Sequence, residues 1–192
     1  SAASDVYKRQ IHFHDADYFA QNALHNCDLI NLEDMLQNGT SINGVMIEKP
    51  HRFLTAMTIA TQIITAVNSS QYGGCTVTLT HLAPFIRSSR QYYEKKYKER
   101  KLTKAQIAKF VEEDLRKEIT DGVQTFQYQI NSMTTTNGQA PFLSVCMYLG
   151  ETTEYKEELA MLIEEVLRQR IQGMKNEKGV YTVSYTHLRA HE

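Results

Sequence analysis

The stretch from Arg52 to Asn68, RFLTAMTIATQIITAVN, places apolar Phe53, Met57, Ala60, Ile64 and Val67 three or four residues apart. That is the period of an α-helix with one buried face. Its other side carries Thr58, Thr61, Gln62 and Thr65, polar yet uncharged. A face meant only for water normally carries charge, so this side is expected to meet another element or a ligand. Upstream, Asn31 can cap a short helix over 31–37, with Glu33 and Asp34 in its electropositive first turn and Asn38-Gly39 at its end. Gly39 to Gly44 reads as a turn-rich hinge before Pro50. Nearer the start, Ile11 to Tyr18 (IHFHDADY) alternates Ile11 and Phe13 with His12 and His14, as a strand does.

Downstream, the loop Ser69 to Gly74 closes the central helix. Thr103 with Gln106 forms a capping box that opens a second long helix, burying Ile107, Phe110 or Val111, Leu115 and Ile119. Gly122 is expected to interrupt that helix before the aromatic stretch Phe126 to Ile130. Pro141 to Leu149 (PFLSVCMYL) reads as a buried strand, and Tyr155 to Ile171 as a final helix through Leu159, Leu162, Val166 and Ile171. Helices outnumber strands and separate them, which defines an α/β architecture.

Composition narrows the function classes. The chain has 192 residues, 21 basic against 22 acidic side chains, and 42% hydrophobic residues. A chain of this length normally forms one domain and buries roughly 70% of its unfolded surface, without help from disulfides or a structural metal. Near-neutral charge leaves no footprint for nucleic acid or an anionic membrane, and no apolar run approaches the roughly 18 residues of a membrane span. Three widely spaced cysteines, Cys27, Cys75 and Cys146, and no signal-peptide pattern fit a cytoplasmic protein. The first ten residues, SAASDVYKRQ, and the last ten, VSYTHLRAHE, share no periodicity with the rest and resemble translated adapter DNA. On that expectation, residues 1–10 and 183–192 are non-native tails around a partial catalytic domain over 11–182, and His187 and His191 carry no function.

Several residues can support chemistry. His12 and His14 lie on one strand face, within reach of one metal or one substrate. With Asp15 and His25 they allow a metal-dependent hydrolase reading, although the spacing matches no familiar ligand set. Cys27, in HNCDLI, is flanked by polar residues, whereas Cys75 and Cys146 read as packing residues. Ser69 to Gly74 lacks the lysine of a phosphate-binding loop and reads as an ordinary turn. Arg90 to Lys101 is basic and aromatic, but interleaved Glu94 and Glu99 favour a solvated helix face or a local phosphate contact.

Seven collinear blocks carry a resemblance over essentially all of Ile11 to Thr182: IHFHDADYF, HNCDLINLEDMLQNG, MIEKPHRFLTAMTIATQII, SSQYGG, LAPF, TTNGQAPF and LRQRIQG. In these the chain resembles the anaerobic, class III ribonucleoside-triphosphate reductases. The resemblance implies part of a ten-stranded α/β barrel of the glycyl-radical enzyme type, with a finger loop inside and a helical bundle at the homodimer interface. It implies reduction of ribonucleoside triphosphates to deoxyribonucleoside triphosphates, started by a glycyl radical that a radical-SAM activating enzyme installs, with formate as reductant. It further implies allosteric control by dNTP and ATP effectors. No metal site is expected in the portion present; the glycyl-radical segment and the finger-loop cysteine lie outside it, so the 192-residue chain alone is expected to be inactive.

Residue by residue, the resemblance makes Cys27 a catalytic thiol on the 2′ side of the ribose. It places His12 and His14 in the same cavity as substrate or formate contacts, and Asn137, Gly138 and Gln139 at the substrate pocket. Glu48 and Gln62 match effector-binding positions, with Gln62 suited to read a base edge through paired donor and acceptor atoms. Lys95 is expected to meet the effector triphosphate. A noncatalytic nucleotide-binding dimerisation module is the further reading for the chain by itself.

Overall fold

The structure, a computed structural model, describes residues 27–70, 73–135, 138, 140–175 and 178–182. The strand expected over Ile11 to Tyr18, together with His12, His14, Asp15 and His25, lies outside the described residues.

A three-stranded parallel sheet forms the centre. Strand β1 (Asp28–Leu29) is followed by α1 (Leu32–Gln37), the hairpin β2 (Thr40–Ile42) and β3 (Val45–Ile47), and α2 (Phe53–Ser69). Then come β4 (Cys75–Thr78), a 3-10 turn (Leu79–Leu82), α3 (Ala83–Lys98), α4 (Lys104–Ser132), β5 (Leu143–Cys146) and α5 (Lys156–Gln172). A short antiparallel pair, β6 (Met174–Lys175) and β7 (Tyr181–Thr182), follows. β4 is central, with β1 and β5 parallel on either side. Both connections cross over through helices, as parallel pairing requires. The α/β reading holds at this level.

The expected helices form for local reasons. Asn31 Oδ1 accepts from the Asp34 N–H at 3.3 Å, and the Thr103–Gln106 capping box is complete. Along α2, Phe53, Met57, Ala60 and Ile64 are fully or almost fully buried, and Ala56, Ile59 and Ile63 join them. Its apolar surface therefore wraps well past the stripe expected. Leu159, Leu162 and Val166 of α5 are buried, while Ile171 is 87% exposed and stands clear of the core.

Four expectations are corrected. The segment Gly39 to Gly44 is a hairpin rather than a hinge: Asn43 and Gly44 both take positive φ, 52° and 77°, at a two-residue turn of the kind that Asn-Gly favours. Pro141 to Leu149 contributes only the four-residue β5, an edge strand of the described sheet with alternating burial, and Cys146 is exposed instead of packed. Arg90 to Lys101 is not merely a solvated face, because Tyr93 and Tyr97 are buried on it.

The fourth correction is Gly122, which does not break α4. The helix runs through it because α2 passes so close that a Cβ there would stand 2.7 Å from Phe53 Cε1. Gly122→Ala should therefore destabilise: overpacking costs about 1–3 kcal/mol, more than the roughly 1 kcal/mol of helix propensity that alanine returns. A lower urea midpoint, partly recovered by adding Phe53→Leu, is the expected result. An unchanged or raised midpoint would show that the two helices stand further apart.

The start of α2 has no side-chain cap of its own. Instead the Phe53 N–H donates to Ser89 Oγ of α3 at 2.8 Å, and the Leu54 N–H donates to Glu118 Oε1 of α4 at 3.1 Å. Arg52 Nη2 donates to Glu118 Oε2 at 2.9 Å and to the Tyr93 hydroxyl at 2.5 Å. Three helices are thus joined at one buried carboxylate. At the far end of α3, Asp114 accepts from Lys96 Nζ at 3.2 Å and from the Tyr97 hydroxyl at 2.7 Å. On the other flank, Arg87 donates to both oxygens of Glu158 and ties α3 to α5.

Candidate active-site wall and effector surface

Parallel pairing brings three separate motifs to one end of the sheet. Asp28 stands opposite Cys75, and Cys75 opposite Leu143. The residues just before them, Cys27, Gly74 and Phe142, therefore share the N-terminal edge. The Asp28 N–H donates to the Gly74 carbonyl at 3.1 Å, and the Cys75 N–H donates to the Phe142 carbonyl at 2.9 Å. A Cβ on Gly74 would collide with the Phe142 ring, so glycine is what lets the two chains close here. At this edge Cys27 is exposed and Phe142 is 71% exposed. The opposite edge is tied down: the hydroxyls of Thr78 and Thr80 each donate to Glu151 Oε2 at 2.5 Å.

Phe142 ends the TTNGQAPF block, so Cys27 and the end of that block lie at the same end of the sheet, with β4 between them. Gly138 has φ 73°, and its N–H donates to the Thr135 carbonyl at 2.9 Å, forming a turn that favours glycine. Asn137 and Gln139 lie outside the described residues.

The cysteines separate by environment. Cys75 is buried in the central strand, and its Sγ accepts from Asn68 Nδ2 at 2.7 Å. Burial pushes its pKa up to about 11, with the Asn68 hydrogen bond pulling the other way. At pH 8 only about one such thiol in a thousand is ionised. Iodoacetamide should accordingly label exposed Cys27 and Cys146 in the native chain, and Cys75 only in urea. A third adduct on the native chain, seen by intact mass, would place Cys75 at the surface.

The three expected effector residues sit on different elements. Glu48 follows β3, Gln62 is in the middle of α2, and Lys95 lies in the last turn of α3; all three are exposed. The uncharged face of α2 meets another helix in part. Thr61 is buried and bonds to Gln129 Oε1 of α4, while Thr58 and Thr65 turn their hydroxyls onto the Leu54 and Thr61 carbonyls of α2 itself. Gln62 is left pointing outward. Residue patterns had not singled out Glu118 or Ser89, whose partners come from other helices. Among the described residues, no group of three or more His, Cys, Asp or Glu side chains is arranged to hold a metal ion, and no helix is long and apolar enough to cross a membrane.

Comparison with known proteins places the chain in a family. The family model described as anaerobic ribonucleoside-triphosphate reductase matches residues 2–189. The chain belongs to that family. The anaerobic ribonucleoside-triphosphate reductase of Escherichia coli (strain K12) is 35% identical over 171 residues, which is 88% of this chain and 23% of that protein. Its counterpart in Enterobacteria phage T4 is 31% identical over 166 residues, 85% of this chain and 26% of that one. The chain thus spans about a quarter of the length of the curated relatives it matches. In fold it is similar to the anaerobic ribonucleotide reductase of Thermotoga maritima, solved in complex with dATP and CTP. The TM-score is 0.60 at 14% identity, over 83% of this chain and 28% of that one.

Proposed function

We propose that this chain is a section of the catalytic subunit of an anaerobic ribonucleoside-triphosphate reductase. It contributes one wall of the active site and much of the effector site. The observation that carries this reading is that exposed Cys27 and Phe142, the last residue of TTNGQAPF, stand at the same end of one parallel sheet, beside the two strands that flank β4, in a chain of this family. The substrate is a ribonucleoside triphosphate and the product the matching deoxyribonucleoside triphosphate. The glycyl radical, generated by a radical-SAM activating enzyme, supplies the unpaired electron that makes the ribose reducible.

Within this chain, Cys27 presents its S–H to the 2′ side of the ribose, where a weak bond to hydrogen and an ionisable proton are both useful. His12 and His14 act beside it as proton carriers or as contacts for substrate and formate. Asn137, Gly138 and Gln139 border the pocket, with Gly138 allowing close backbone approach. Glu48, Gln62 and Lys95 bind a dNTP or ATP effector where two copies of the subunit meet as a homodimer. The ten-stranded barrel, with β1, β4 and β5 among its strands, completes the assembly, in the cytoplasm.

The effector half of this reading is tested by Gln62→Ala in a full-length reductase carrying this segment. The change removes a bidentate base contact, while buried Met57, Ala60 and Ile64 hold α2 in place. Substrate choice should lose much of its dependence on the deoxynucleotide present, a coupling normally worth about 1–3 kcal/mol. An unchanged effector response in a stably folded variant would leave Gln62 as an ordinary polar residue on a helix face. The catalytic half is tested by substitution of Cys27.

A further inference from the structure

We infer that Glu118, which no sequence block marks, is the positioning residue of the effector site: one buried carboxylate that sets Glu48, Gln62 and Lys95 relative to one another. The inference rests on the effector reading above and extends it to a residue that touches no nucleotide. Glu48, Gln62 and Lys95 all have exposed side chains, so their own packing does not define their spacing. Their relative placement is inherited from the elements beneath them, and those elements converge on Glu118.

The Glu118 side chain is 2% exposed. Oε1 accepts from the Leu54 N–H at 3.1 Å and from Ser89 Oγ at 3.2 Å, and Oε2 from Arg52 Nη2 at 2.9 Å. Through Arg52 and Leu54 it holds the first turn of α2, the helix of Gln62, and the end of the segment that leads from Glu48 past buried Pro50. Through Ser89 it holds α3, the helix of Lys95. The Arg52 guanidinium extends the same joint, lying 4.7 Å from the Tyr92 ring centroid and 5.2 Å from that of Tyr93, within a turn of Lys95.

A buried carboxylate paired with a half-buried arginine is a costly way to hold helices together, since apolar residues of similar volume often do so as well or better. What charge and a forked geometry add is a single preferred arrangement. Because the first N–H groups of α2 are capped by α3 and α4, its start is ordered only when all three helices are in register. A rigid helix carries that register along to Gln62.

The test uses a full-length reductase carrying this segment and reads the dissociation constants of dTTP and dGTP, with melting temperature alongside. Glu118→Gln keeps size and an acceptor for Leu54 and Ser89 but removes the charge that grips Arg52. Binding of the preferred deoxynucleotide should weaken about fivefold or more, with discrimination between the two reduced and the fold retained. Arg52→Gln should do the same, and the double variant should be no worse than either single. Phe53→Leu loosens the packing of α2 without touching the Glu118 hydrogen bonds, and should lower the melting temperature without altering discrimination. If Gln62→Ala abolishes discrimination while Glu118→Gln preserves it, the inference is overturned and the effector site stands. Equal loss in Phe53→Leu and Glu118→Gln also overturns it, since general loosening of α2 would then suffice. If neither Gln62→Ala nor Glu118→Gln changes dTTP or dGTP binding, the effector reading itself fails and takes the inference with it.

Discussion

Serine at position 27 of a full-length reductase carrying this segment is expected to lower turnover about 10²- to 10⁴-fold, the range for loss of a group that transfers hydrogen at the reacting centre, with nucleotide affinity nearly unchanged. The hydroxyl matches the thiol in size and still carries a proton. It lacks the weak bond to hydrogen, so what fails is the chemical step and not binding. Position makes the effect specific: Cys27 is exposed at the N-terminal end of the sheet, one residue before β1. Cys146→Ser, at the opposite end of β5, should leave turnover intact, and Cys75→Ala should cost stability alone. Deoxynucleotide formation from CTP under anaerobic conditions, with activating enzyme and formate, is the measurement. Turnover retained by Cys27→Ser would remove this thiol from the mechanism.

Phe53→Ala should produce the largest loss of stability. Phe53 is fully buried at the first turn of α2, and its ring packs on Gly122 of α4. Truncation removes its burial free energy and leaves a cavity against a helix that cannot move in to fill it, a loss of about 3–5 kcal/mol. That is a large share of the roughly 5–15 kcal/mol a domain has in total. Urea unfolding followed by circular dichroism reads the change directly. A loss below about 1 kcal/mol would show that this contact closes over easily, contrary to the tight approach at Gly122.

What could be read in advance was local. α2 and α5 announce themselves through apolar residues at helical spacing, α1 through Asn31, and the start of α4 through Thr103 and Gln106, because periodicity and capping act over a few residues. β4 escaped notice although it is the central strand: CTVT is four residues long, half of them threonine, and its identity comes from pairing with β1 and β5. The start of α3 had a usable signal in Pro84, which sits in the first turn where its missing N–H is harmless. Gly122 was misread because a glycine that breaks a helix and a glycine that admits a neighbouring helix look alike until the neighbour is known. In the site, Cys27 and the TTNGQAPF block were legible as motifs. Their placement at one end of the sheet depends on strand order, and Glu118 owes its partners entirely to packing.

Strand order also bears on how the molecule assembles in time. β1, β4 and β5 are two to four residues long and draw on distant parts of the chain, as in the pairing of Cys75 with Leu143. Non-local pairs of this kind must meet the entropy of loop closure before they return any stabilisation. The helices, built from contacts within a few residues, can form and pack first. The end that presents Cys27 then belongs to the last part of the molecule to take shape. Substitutions along the α2–α4 contact should slow refolding, whereas changes in the sheet should mainly hasten unfolding.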